Sequence, residues 1–219
     1  MKARFDLSLY LVTDPEMTVR RGLVETVAAA IDGGVTMVQL RHKDGSARVV
    51  VEAGRALRAL LAPLGIPLIV NDRVEVACAI GADGAHVGQG DISPAAARAI
   101  LGPQAIIGVS ITREEDLRAF DPAVADYVGL GPILPTGTKA DAAPVLGDVA
   151  FASLRRRLPC PVVAIGGITA ANAGWVIAAG ADGIAVVSAI CAADNPRTAA
   201  RALRSAVDSA LKARSSTRS

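Results

Sequence analysis

Arg73-Val74-Glu75-Val76-Ala77-Cys78-Ala79-Ile80 is followed by Gly81-Ala82-Asp83-Gly84, then Ala85-His86-Val87, then Gly88-Gln89-Gly90-Asp91. The first piece is rich in helix formers. The second is a glycine stop, where a left-handed C-cap costs little without a Cβ. The third is a short apolar run that predicts a strand, and the fourth is a polar tail at that strand's end. Outward from this stretch the same order repeats along the chain. Strands are predicted at Leu7–Val12, Thr36–Leu40, Pro67–Val70, Ala85–Val87, Ile106–Val109, Tyr127–Leu130, Val162–Ile165 and Ile184–Val187. Helix-like segments fill 19–32, 47–63, 73–80, 93–101, 113–120, 148–157, 170–179 and 196–212. A second glycine stop, Gly180-Ala181-Asp182-Gly183, closes the seventh helix, and Asp32-Gly33-Gly34 closes the first. Ser93-Pro94 and Asn195-Pro196 read as an N-cap with proline at the first helical position.

Strands alternating with helices at this rhythm predict βα units and a parallel sheet. Eight units without a break predict an α/β fold, a single (βα)8 (TIM) barrel over 1–212, with 213–219 a disordered tail. An open doubly wound sheet is the alternative. It would gather polar residues at one switch point, whereas here they follow nearly every strand. Side chains past the C-terminal ends of barrel strands meet in space, which predicts one composite site.

Composition narrows the function. The chain has 219 residues, 52% hydrophobic, enough for one large core. A formal charge of +2 and 3% aromatic residues give neither a basic face nor a stacking platform for nucleic acid. Cys78, Cys160 and Cys191 are an odd number without Cys-x-x-Cys spacing, so disulfides and zinc are not expected and all three read as small buried residues. Lys2 and Arg4 lead into a strand rather than a signal peptide, and no run reaches the ~20 apolar residues of a membrane helix. A soluble, cytoplasmic protein without membrane partners is expected.

The strand tails carry the chemistry. In Val38-Gln39-Leu40-Arg41-His42-Lys43, alternation puts Gln39, Arg41 and Lys43 on one face and Val38, Leu40 and His42 on the other. An amide, a guanidinium and an ammonium aimed together into a barrel mouth call for anionic partners, which a diphosphate supplies. The bland reading is a charged turn. Asp72 in Val70-Asn71-Asp72-Arg73 and Asp91 after the fourth strand are two carboxylates on neighbouring strand ends. They suit one Mg²⁺, which takes one or two carboxylates and fills its shell with water and phosphate oxygens; helix capping is the other reading for Asp91. His86 is either a satisfied core histidine or a pocket wall. The loop Gly129–Lys139 ends Thr136-Gly137-Thr138-Lys139, so it lacks the Gly-Lys-Ser/Thr of an ATPase but offers hydroxyls and an ammonium to a phosphate. Gly166-Gly167 and Val187-Ser188 follow the last two strands, a frequent phosphate position in barrels. No nucleophile–base pair stands out, so covalent catalysis has no support.

Taken together, these motifs resemble the thiamine phosphate synthase family. The likeness rests on Gln39-Leu40-Arg41-His42-Lys43, Asn71-Asp72, His86-Val87-Gly88-Gln89-Gly90-Asp91, Gly131-Pro132-Ile133, Pro135-Thr136-Gly137-Thr138-Lys139, Ala164-Ile165-Gly166-Gly167-Ile168 and Val187-Ser188-Ala189-Ile190. It runs from about residue 8 to 191. The resemblance implies an enzyme joining a hydroxymethylpyrimidine diphosphate to a thiazole phosphate, giving thiamine monophosphate and diphosphate. It implies that Gln39, Arg41, Lys43, Asn71, Ser110 and Lys139 hold the pyrimidine diphosphate, with Leu40 and His42 also in the substrate-binding stretch and Arg41, Lys43, Ser110 and Lys139 the catalytic set. It implies Mg²⁺ on Asp72 and Asp91, and the thiazole phosphate on Thr136, Gly137, Thr138, Gly167, Val187 and Ser188. Self-association into a homo-oligomer is a family expectation. A dissociative step, in which diphosphate leaves and the thiazole nitrogen captures a pyrimidine-methyl cation, accounts for the missing nucleophile. Gly137, where a larger residue is expected, is a departure from the family pattern, as is the sparsely polar Val109-Ser110-Ile111-Thr112. Two rivals are a thiazole tautomerase, which would offer a histidine where Ser110 stands, and a non-catalytic phosphate-binding barrel.

Overall fold

The computed structural model describes residues 5–118, 120–137 and 144–216. Eight parallel strands close into a barrel in chain order: β1 (Leu9–Val12), β2 (Met37–Leu40), β3 (Leu68–Asn71), β4 (Gly84–Val87), β5 (Ile106–Ile111), β6 (Tyr127–Leu130), β7 (Val162–Ile165) and β8 (Gly183–Val186). Between and after them run α1 (Pro15–Thr18), α2 (Leu23–Asp32), α3 (Ala47–Leu61), α4 (Val74–Ile80), α5 (Pro94–Leu101), α6 (Gly147–Arg157), α7 (Ala173–Ala178), α8 (Ser188–Cys191) and α9 (Pro196–Ser216). The open sheet is excluded, because β1 pairs with β8. Among the described residues no helix is long and apolar enough to cross a membrane.

Strand alternation divides the core in two. One parity, including Leu9, Leu11, Val38, Leu40, Val70, Ala85 and Val128, packs outward with helix residues such as Val27, Leu57, Phe151 and Leu203. The other parity, with Tyr10, Val12, Met37, Ile69, Ile106, Tyr127, Val163 and Ala185, fills the barrel. Gln39, His86 and Ser110 share that inward parity and lie above this apolar layer.

A repeated polar device closes the foot of the barrel. The Asp83 carboxylate accepts from Leu68 N–H at 2.8 Å and pairs with Arg58 of α3 at 3.3 Å. Asp126 does the same with Ile107 N–H and Arg98 of α5, and Asp182 with Val162 N–H and Arg155 of α6. Thr36 takes the place for β1, its Oγ1 accepting from Leu9 N–H. Each residue precedes an even-numbered strand and satisfies an N–H near the start of the odd strand before it. Asp126 is only 8% exposed, so Asp126→Ala leaves Arg98 and a backbone N–H without their shared acceptor. That change is expected to cost about 3 kcal/mol, lowering Tm by roughly 6–12 °C for a domain of this size. Thermal unfolding checks it, and a loss below about 1 kcal/mol would reduce the device to a surface ion pair.

Several expectations change. Among the described residues of 113–120 there is no α-helix; Glu114–Arg118 is a short 3₁₀ turn, held by Asp116 accepting from Thr112 and Arg113 N–H. A helical turn not foreseen, α1, follows β1 because Asp14 caps it, accepting from Glu16 and Met17 N–H. The tail expected to be disordered from Ala213 is helical through Ser216, where Arg214 donates to the Ile177 and Ala181 carbonyls and pairs with Asp182. Ser110 lies inside β5 rather than after it. Of the cysteines only Cys191 is buried, which pushes its thiol up to about 11 and makes it inert at neutral pH. Cys78 is exposed.

Candidate active site

At the end of β2 the register sets Gln39 inward, buried, between Val12 of β1 and Ile69 of β3. Arg41 follows on the same parity. Its backbone N–H donates to Thr13 Oγ1 at 3.1 Å, and its guanidinium lies 3.7 Å from Asp14 Oδ2. The other Asp14 oxygen caps α1, so one carboxylate anchors both the helix and the arginine. Arg41 is 12% exposed at its side chain, yet its five donors exceed what one distant oxygen can use. A guanidinium with donors to spare can take an anion bidentately. Lys43 is exposed at the rim. Leu40 points into the outer core, and the His42 ring packs over Gly45, so neither side chain shares the face of Gln39 and Arg41.

On the neighbouring β3, Asn71 pairs in register with His86, and the next residue turns sharply. Asp72 has φ of 60°, the only non-glycine with positive φ among the described residues. Its N–H donates to the His86 carbonyl at 2.8 Å, which holds the turn. Positive φ is uncommon for a residue with a side chain but is tolerated by Asp and Asn, so the turn can set this carboxylate at the strand end. Asp91 does not cap α5; Ser93 does, accepting from Ala96 N–H at 3.1 Å. Instead Asp91 Oδ2 accepts from Gly88 N–H at 2.7 Å and folds the β4 tail. Gln89 ties that tail to β5 by donating to the Ser110 carbonyl at 2.8 Å. Among the described residues no group of three or more His, Cys, Asp or Glu could hold a metal ion.

Beneath these groups lies a chain of buried polar side chains. Gln39 donates to the Tyr10 hydroxyl, which bonds the Tyr127 hydroxyl, which bonds His86 Nδ1. His86 Nε2 then bonds Ser110 Oγ at 2.9 Å. Burial raises both tyrosines well above their ordinary pKa, so they stay protonated and act as neutral links.

The far side of the mouth is built by the loop after β6. Ile133 and Leu134 N–H donate to the Ile165 and Gly166 carbonyls, so this loop runs on beside β7. Gly166 and Gly167 have positive φ, and a Cβ on either would strike the 132–135 backbone. Thr136 is half-buried there and Gly137 exposed; Thr138 and Lys139 lie outside the described residues. Asn172 fixes the β7 tail, donating to the Gly167 carbonyl at 3.0 Å. Half-buried Val187 leads into α8, which opens on exposed Ser188.

The barrel therefore brings Gln39, Arg41, Asn71, Asp72, Asp91, Ser110, Gly167 and Ser188 to one end. Sequence reasoning placed Asp14 in the polar tail of the first strand but gave it no role, and missed Tyr10 and Tyr127. Parity was the available signal for the tyrosines, since Tyr10 lies two before Val12 and Tyr127 two before Gly129.

A sequence model of the family described as "Thiamine monophosphate synthase" matches residues 9–190. A thiamine-phosphate synthase of Xanthobacter autotrophicus is 55% identical over 207 residues, covering 94% of this chain and 98% of its own length. One from Azorhizobium caulinodans is 55% identical over 208 residues, covering 95% and 98%. Among solved structures, a thiamine phosphate pyrophosphorylase from Pyrococcus furiosus superposes with a TM-score of 0.84 at 39% identity, covering 94% of this chain and 97% of that one.

Proposed function

This chain belongs to the thiamine monophosphate synthase family, and on that premise we propose that its one barrel is the transferase joining 4-amino-2-methyl-5-(diphosphooxymethyl)pyrimidine to 4-methyl-5-(2-phosphooxyethyl)thiazole, releasing diphosphate. The observation that carries the reading is the Arg41 guanidinium at one end of a barrel whose next two strand tails, after β3 and β4, present Asp72 and Asp91. Arg41, Lys43 and Lys139 neutralise the diphosphate as it takes on charge. Gln39, Asn71 and Ser110 orient the pyrimidine half. Thr136, Thr138, Gly167, Val187 and Ser188 receive the thiazole phosphate and set its ring nitrogen toward the methylene carbon.

Asp72 and Asp91 fit Mg²⁺: both are hard oxygen donors on adjacent tails, and one oxygen of Asp91 is left over after it accepts from Gly88. When bound, the metal supplies further positive charge to the leaving diphosphate. The protein's own part is a preorganised set of donors aimed where charge develops, together with the proximity of two bound substrates. Cytoplasmic location and a homo-oligomeric state complete the proposal.

The test is a coupling assay with both phosphorylated substrates and Mg²⁺, reading thiamine monophosphate by oxidation to a fluorescent thiochrome. Metal-dependent product is expected. Absence of product with the diphosphate substrate bound would overturn the reading. Within it, Ser188→Ala is expected to raise KM for the thiazole phosphate severalfold, as loss of one hydrogen bond of about 1 kcal/mol predicts, with KM for the pyrimidine diphosphate unmoved. Steady-state titration of each substrate checks this; equal effects on both would move Ser188 elsewhere.

A further inference from the structure

The buried line Gln39–Tyr10–Tyr127–His86–Ser110 draws on β2, β1, β6, β4 and β5, and its two ends are substrate-binding residues of the proposed reaction. Its internal links measure 2.8, 2.9, 3.0 and 2.9 Å. Proton counting gives the line a direction. Gln39 Nε2 donates to Tyr10, so the single hydroxyl proton of Tyr10 passes on to Tyr127, and that of Tyr127 to His86 Nδ1. The imidazole then carries its proton on Nε2 and donates to Ser110 Oγ. The Ser110 hydroxyl proton is left to turn outward, toward the mouth. The reverse direction would leave Tyr10 accepting twice, with its own proton lacking an acceptor in an interior where the residue is 1% exposed. No buried side-chain oxygen or nitrogen among the described residues lacks a partner.

The line occupies room made for it. A Cβ at Gly108 would collide with the Tyr127 hydroxyl and with His86 Nδ1, and one at Gly129 would lie 3.1 Å from His86 Cε1. The His86 and Tyr127 rings are tilted at 38°, centroids 5.5 Å apart, so the imidazole has little freedom to flip.

We propose that Tyr127 is a positioning residue: by holding His86 in its Nε2–H tautomer it makes the Ser110 hydroxyl a hydrogen-bond donor to the pyrimidine diphosphate. The inference rests on the proposed function for Ser110's ligand, but the tautomer does not. It can therefore be read on the ligand-free protein by ¹⁵N NMR of labelled histidine. The chain has only two histidines, so His42→Gln assigns the signals. Wild type is expected to show a protonated Nε2 and an unprotonated Nδ1 at His86. Tyr127→Phe is expected to mix the tautomers and to raise KM for the pyrimidine diphosphate about tenfold, the equivalent of 1.4 kcal/mol, while KM for the thiazole phosphate stays put. His86→Gln, whose amide N–H overlies Nε2, is expected to stay closer to wild type than His86→Asn, whose amide reaches only the Nδ1 position. An Nδ1–H tautomer in wild type would overturn the proposal, as would an unaltered tautomer or parallel KM changes in Tyr127→Phe. If wild type makes no product, the reaction assignment fails. A wrong tautomer in an active enzyme sinks the positioning role alone.

Discussion

Arg41→Ala is expected to lower kcat by about 10² to 10³ fold, the usual cost of losing one preorganised donor to a developing charge. The reasoning begins with Asp14. Its Oδ2, 3.7 Å away, holds the guanidinium in place without using up its donors, so Arg41 is oriented before substrate arrives. An oriented cation costs no reorganisation when the diphosphate departs, whereas a solvated one would. Because leaving-group charge grows toward the transition state, the loss should fall on kcat more than on KM. Arg41→Lys should recover only part, since an ammonium gives a point charge and not a fork. Asp14→Asn is the informative control. It keeps an oxygen to cap α1, removes the partner charge, and is expected to cost less than Arg41→Ala. Steady-state kinetics with each substrate varied decides the matter. A loss under about threefold in Arg41→Ala would mean that the arginine merely ties β2 to α1.

The barrel was legible because its grammar is local. Gly81 is in the left-handed region and caps α4, as the Gly-Ala-Asp-Gly pattern implies, and Ser93 caps α5. Parity at β2 also read through: Gln39 and Arg41 face inward, Leu40 outward. What sequence could not show depends on partners far apart in the chain. Asp83 and Asp182 stood in plain view as turn residues, but their arginine and N–H partners lie in other βα units. Tyr10 and Tyr127, 117 positions apart, meet only once the barrel closes. Helicity of Ala213–Ser216 was missed for the same reason: composition there is polar, and Arg214 reaching the Ala181 carbonyl and Asp182 is a tertiary contact. The reading of 113–120 failed where Asp116 competes for the backbone, bonding Thr112 and Arg113 N–H instead of letting a helix propagate.

Asparagine suits both Asp91 and Asp72, but alanine acts differently at the two, because the backbone treats them differently. Asp91 Oδ2 accepts from Gly88 N–H at 2.7 Å, so Asp91→Asn keeps an acceptor for the loop and removes only charge, whereas Asp91→Ala loses both. At Asp72, with φ of 60°, alanine would be strained and asparagine would not. Asp72→Asn is therefore the clean variant there. Both Asn variants are expected to weaken apparent Mg²⁺ affinity by at least about 10- to 100-fold, the loss seen when groups that merely support a metal ligand are removed. Most activity should vanish at ordinary Mg²⁺ and return in part at high Mg²⁺. Asp91→Ala should be rescued less, since its loop has also lost its tie. The check is turnover against Mg²⁺ concentration, paired with thermal unfolding to show that each variant is folded. Partial rescue would separate a lost ligand from a lost fold, because added cation can refill a weakened site but cannot restore a broken hydrogen bond. Unchanged turnover in Asp91→Asn at ordinary Mg²⁺ would reduce Asp91 to a loop tie for Gly88 and return the leaving-group charge to Arg41 and its neighbouring cations.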